Sequence, residues 1–72
     1  MLNMTLTPIG NFDAYAFCSR RGVDWRGPAI SFHIHDKTRK VEYRGHLPGG
    51  NVIVEIDGAT YCAAAVTFKE LR

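Results

Sequence analysis

Three short stretches of the chain alternate apolar and polar side chains. Residues 2–7 read Leu-Asn-Met-Thr-Leu-Thr, residues 30–35 read Ile-Ser-Phe-His-Ile-His, and residues 52–57 read Val-Ile-Val-Glu-Ile-Asp, with Ile53 the one break. A period of two marks a strand with one face on a core and the other in water. Glycine and proline punctuate the intervals between such runs. Strands are therefore predicted over residues 2–7, 12–20, 29–35, 40–44 and 52–56, followed by a last one that starts at Ala59. Turns fall at 8–11 and 36–39, and loops at 21–28 and 45–51. Asp57-Gly58 is the sharpest local signal, because a two-residue type I′ hairpin wants left-handed backbone at both positions. That turn sets Ile56 opposite Ala59, Val54 opposite Tyr61 and Val52 opposite Ala63 on one face. Ile53 and Cys62 then pair on the other face, which also carries Ala64, Val66 and Phe68, so this hairpin is apolar on both sides.

Alternation phase predicts a core of Leu6, Tyr15 or Phe17, Ile30, Phe32, Ile34, Val41, Val54 and Ile56. The C-terminal stretch satisfies two patterns. Ala63-Ala64-Ala65 favours helix, whereas Val66-Thr67-Phe68 favours strand. The reading adopted is a strand to about Val66 and then a short helical turn. In pattern alone, the chain resembles a mainly β, single-domain antiparallel sheet of five to six strands, curled into an SH3-like or OB-like barrel. Closure would remove the exposed edges that so small a sheet offers to other chains.

Length bounds the picture next. Seventy-two residues make one domain spanning 1–72. A chain of this size buries only about 60% of the surface its unfolded form exposes, so its core is thin. At 46% hydrophobic residues it is nevertheless too apolar for a disordered chain. No run approaches the ~18 apolar residues of a membrane helix, and the N-terminal residues lack the charged start and apolar stretch of a signal peptide. The expected setting is the cytoplasm, where Cys18 and Cys62 are reduced thiols inside apolar runs.

Charge is uneven. Residues 20–44 hold seven Lys and Arg against three acids, a net of +4, and the remainder holds two against four, a net of −2. Arg21, Trp25 and Arg26 fall in the loop at 21–28, and Arg39, Lys40 and Arg44 follow the turn at 36–39. These six residues are the expected partner-binding surface. Tryptophan and arginine dominate protein–protein hot spots. Cations interleaved with aromatic rings also suit single-stranded nucleic acid, but a net charge of +2 is low for a dedicated nucleic-acid binder.

Catalytic and metal chemistry fare less well. His33 and His35 are two residues apart on one strand, so they share a face about 6.5–7 Å apart. With Asp36 or His46 they are weak metal candidates, since a zinc site wants three or four ligands; two solvent-facing histidines is the plainer reading. Leu47-Pro48-Gly49-Gly50-Asn51 leads into a strand, not into the helix N-terminus of a phosphate loop. Ser19 and Ser31 lack a hydrolase context, and no carboxylate sits in an apolar stretch that would tune it for acid–base work. The expectation is a small non-enzymatic binding module without a cofactor, an inhibitor or regulatory adaptor for a protein partner. Its size suits a phage or other mobile element. A nucleic-acid-binding domain is the alternative, and an oligomeric enzyme or small-ligand binder, built as a homo-oligomer, the third.

Overall fold

The computed structural model describes residues 4–20, 23–33 and 39–71, with backbone alone at 18–20, 23–26 and 28. Six strands follow one another: β1 (Met4–Leu6), β2 (Phe12–Arg20), β3 (Val23–Phe32), β4 (Val41–Leu47), β5 (Asn51–Ile56) and β6 (Ala59–Ala64). Two single 3-10 turns, Ala65–Thr67 and Lys69–Leu71, end the chain. The strands form one antiparallel sheet in the order β1-β4-β5-β6-β2-β3. Among the described residues its edges, β1 and β3, do not pair with each other. The sheet is open, and closure into an SH3-like or OB-like barrel is not seen. No helix among the described residues is long and apolar enough to cross a membrane.

The β5–β6 hairpin has the expected register: Ile56 opposite Ala59, Val54 opposite Tyr61, Val52 opposite Ala63, and Ile53 opposite Cys62. Asp57 and Gly58 have φ of 53° and 80°, both in the left-handed region that a type I′ turn requires. Val52, Val54 and Ile56 are fully buried. Around them lie Leu6, Ala14, Phe32, Val41, Ala63 and Phe68, in one core contributed by all six strands and the C-terminal turns. Leu6 and Phe32 belong to opposite edge strands, so sharing a core requires strong curvature of the sheet, as the inherent strand twist favours.

Several expectations are corrected. Residues 21–28 were predicted to be a loop, but β3 begins at Val23, with Trp25 opposite Cys18 and Arg26 opposite Phe17. The Gly27-Pro28 pair that suggested a loop is the site of a register shift. Tyr15 faces Ala29 and Phe17 faces Arg26, so two residues of β3 oppose Ala16 alone. Such a bulge on an edge strand accommodates a proline, whose missing N–H need not find a partner. β4 likewise runs past residue 44 to Leu47. Arg44 is its extra residue, since Tyr43 faces Val54 while Gly45 faces Ile53. The strand predicted to reach His35 ends at Phe32, and Ile34 and His35 lie outside the described residues.

The phase of β2 is the reverse of the one predicted. Ala14 is buried, Tyr15 is 44% exposed and Phe17 is half-buried. Phe12 fixes the phase: its ring stacks on Phe32 at 4.9 Å and meets Phe68 edge-on at 5.2 Å. Tyr15 therefore turns to the outer face, beside Cys62 and Ala29. At the C-terminus the strand stops at Ala64, not near Val66, and the 3-10 turn rotates Phe68 into the core. Residues 65–71 form a strap across the start of the chain. Ile9 N–H donates to the Thr67 carbonyl and Lys69 N–H to the Thr7 carbonyl, each at 2.9 Å. Glu70 accepts from the Thr7 N–H at 2.6 Å and from its hydroxyl at 2.8 Å.

Candidate protein-docking surface

The register divides the outer face of the sheet into two halves. On the β1–β4–β5 side it carries Thr5, Glu42, Arg44 and Glu55. Glu42 and Glu55 stand directly opposite one another, a like-charge pair that is unfavourable alone. The bulge places the Arg44 guanidinium between them. Its Nη2 lies 2.7 Å from Glu42 Oε2 and its Nε 3.1 Å from Glu55 Oε2. The Glu55 hydrogen bond above all raises the Arg44 pKa beyond its ordinary high value; loss of solvent opposes it, and the Glu42 hydrogen bond and both negative charges add to the rise. Arg39 Nε pairs with Asp57 Oδ2 at 3.4 Å. The bulge has a second consequence. Residues three apart in a regular strand face opposite sides, yet Tyr43 and His46 share one, with the Tyr43 hydroxyl 2.6 Å from His46 Nδ1.

These contacts decide how the six expected binding residues are placed. Arg39 and Arg44 are engaged by carboxylates of the chain itself. Lys40 is exposed and lines a polar hollow of about 290 Å³ with Glu42, Glu55, Asp57 and Gly58. Trp25 and Arg26 belong to edge strand β3, separated from β4 by β5, β6 and β2. That is four strand spacings, about 19 Å measured along the sheet. Arg21 lies outside the described residues. The sheet thus does not place the two clusters on neighbouring strands. Of the metal candidates, His33 is exposed just past β3 and His35 lies outside the described residues. His46, weighed as a further ligand, is bonded to Tyr43. Among the described residues no three His, Cys, Asp or Glu side chains gather as metal ligands.

The other half of the outer face carries an apolar patch beside Asp13 and Ser31. Ile53 and Cys62 face each other across β5 and β6, Tyr15 lies beside Cys62 on β2, and Ala29 lies beside Tyr15 on β3. Cys62 is a free thiol, 2% exposed even though its strand position points away from the main core. Tyr15 above it is among the large hydrophobic side chains most open to solvent. A cleft opens next to this pair. β2 and β6 pair only at Tyr15–Cys62 and Ala16–Tyr61, and beyond these the strands diverge. The gap is about 280 Å³, lined by Phe12, Asp13 and Tyr15 of β2 and Cys62, Ala63 and Ala64 of β6, with Asn51 and Thr67. The alanines leave the hollow because they carry too little side chain to fill the space where pairing stops.

The sequence shows the Ile53–Cys62 pair on this face, but placing Tyr15 or Phe17 in the core misses the part that Tyr15 adds to it. The signal was present in Phe12, which alternates with Ala14 and Ala16 and against Tyr15 and Phe17. Comparison with protein-family models, with curated proteins and with solved structures finds no match to this chain.

Proposed function

We propose that the protein is a small non-enzymatic protein-binding module, an inhibitor or adaptor that docks through the apolar half of its outer sheet face. The exposed Tyr15, opposite the buried Cys62, which is itself opposite the half-buried Ile53, carries this reading. An exposed aromatic on an apolar patch, rimmed by polar groups, is the anatomy of a protein-interaction hot spot. The arrangement of charge supports the same choice over nucleic acid. Arg39 and Arg44, two of the cations that a phosphate backbone would need, are held by Asp57, Glu42 and Glu55.

The test is selection of peptides from a random displayed library against the wild-type chain. Selected peptides are expected to lose at least about tenfold in affinity toward Tyr15→Ser, a difference of ~1.4 kcal/mol. The thermal midpoint should be nearly unchanged, because Tyr15 is exposed. Binders indifferent to Tyr15→Ser would overturn the reading. So would tight binding of an oligothymidylate that weakens steeply with added salt, which marks phosphate contacts.

A further inference from the structure

We propose that the cleft between β2 and β6 receives one cationic side chain, a lysine or arginine, of a protein partner. The proposal deepens the docking reading above and rests on it. The size admits a single side chain: about 280 Å³ lies at the lower limit of the ~300–1,000 Å³ of sites that enclose a small molecule. Charge argues for a cation. Among the described residues Asp13 is the one carboxylate on the cleft walls, and no lysine, arginine or histidine lines it. Asp13 Oδ1 accepts a hydrogen bond from the Ser31 hydroxyl at 3.0 Å, while Oδ2 has no partner among the described residues. Asp13 and Tyr15 are two apart on one strand, so they rise from the same face about 6.5–7 Å apart. An ammonium or guanidinium between them meets a carboxylate, for a charge-assisted hydrogen bond, and an exposed aromatic ring, within the roughly 6 Å reach of a cation–π contact. Ala63 and Ala64, on the β6 side, offer apolar surface to the aliphatic stem, which lysine and arginine readily lay along such surface. Arg44 belongs to β4, which Arg39 and Lys40 directly precede, and β4 lies two strands from β6, about 10 Å along the sheet and one Debye length at moderate salt.

The probes are N-acetyl-lysine methylamide, N-acetyl-arginine methylamide and, as the neutral control, N-acetyl-leucine methylamide, each titrated into the whole chain and followed by amide NMR shifts. The two basic probes should shift Asp13, Tyr15, Ala63 and Ala64 together, and the leucine probe should shift them several-fold less. Asp13→Asn, an exposed and nearly isosteric change, should weaken the basic probes about fivefold or more. Added salt should weaken their binding to the wild-type chain, a measurement that needs no variant. Equal binding of the leucine probe, indifferent to Asp13→Asn and to salt, would overturn the cation assignment and leave the docking reading standing. Absence of cleft shifts with all three probes overturns the cleft as a receptor, whereas loss of Tyr15-dependent peptide binding removes the docking reading itself.

Discussion

Gly58 is the position where one residue's backbone freedom is most plainly required. A Cβ added there would meet nothing within 4 Å, so space is not the constraint. The constraint is φ of 80°, a region that costs an L-residue about 1–2 kcal/mol and a β-branched one more. Gly58→Val should therefore lower stability by at least that amount in urea unfolding, and Gly58→Ala by less. A neutral valine variant would mean that the β5–β6 turn is not of this type. Arg44 works differently. It is the inserted residue of a bulge and the bridge between two glutamates that would otherwise repel. Arg44→Ala should lower the thermal midpoint, and the gap from wild type should narrow as salt screens both the lost attraction and the exposed repulsion. A gap independent of salt would assign the effect to the side chain's packing.

Among the elements, the β5–β6 hairpin was legible because its evidence is local. Asp57-Gly58 admits one tight turn, and once the turn is placed every pair from Ile56–Ala59 to Val52–Ala63 follows. β2 was not legible in phase. Its three aromatics, at 12, 15 and 17, cannot all share a face, and local pattern favours the two that agree. The choice falls to Phe12 because Phe32 and Phe68 are waiting for it, contacts between residues far apart in the chain. The same limit hid the cleft, which exists only because two strands distant in sequence diverge. It also hid the two bulges, where Gly27-Pro28 imitated a loop and Arg44 imitated an ordinary outward residue. The C-terminal strap was foreseen as a short turn, but not its clasp on Thr7. That clasp predicts a pH dependence. The hydrogen bonds from the Thr7 backbone and then its hydroxyl lower the Glu70 pKa, so the folded chain holds the ionised carboxylate more tightly than the unfolded chain does. This contribution is complete above the ordinary glutamate value of about 4.3. It disappears as pH falls below that value through the lower folded one. Glu70→Gln should flatten that part of the stability profile, and an unchanged acid limb would assign the limb to other carboxylates.

At the scale of the whole molecule, the fold levels a charge asymmetry that the chain displays in one dimension. The basic middle supplies Arg39 and Arg44, the acidic remainder supplies Glu55 and Asp57, and the β4–β5 pairing brings them together. The Tyr15 half of the outer face takes no part in this exchange and carries the patch of Tyr15, Cys62 and Ile53, the observation behind the docking proposed there. The same economy governs stability. A curled sheet with edges open between β1 and β3 needs something at its centre that touches both ends. Phe68 has that position through Phe12: it is fully buried, forms an isolated bridge with Pro8 just after β1, and packs edge-on against Phe12 of β2, whose ring stacks on Phe32 of the β3 edge. Phe68→Ala should cost about 3–5 kcal/mol, a large share of what a 72-residue domain possesses. The distribution of that loss is the sharper test. If Phe68 joins the two edges through Phe12, amide exchange should accelerate in β1, β2 and β3 as well as in the strap, because the opening unit spans them all. Acceleration confined to residues 65–71 would make the strap an appendage and leave the curl of the sheet to its own twist.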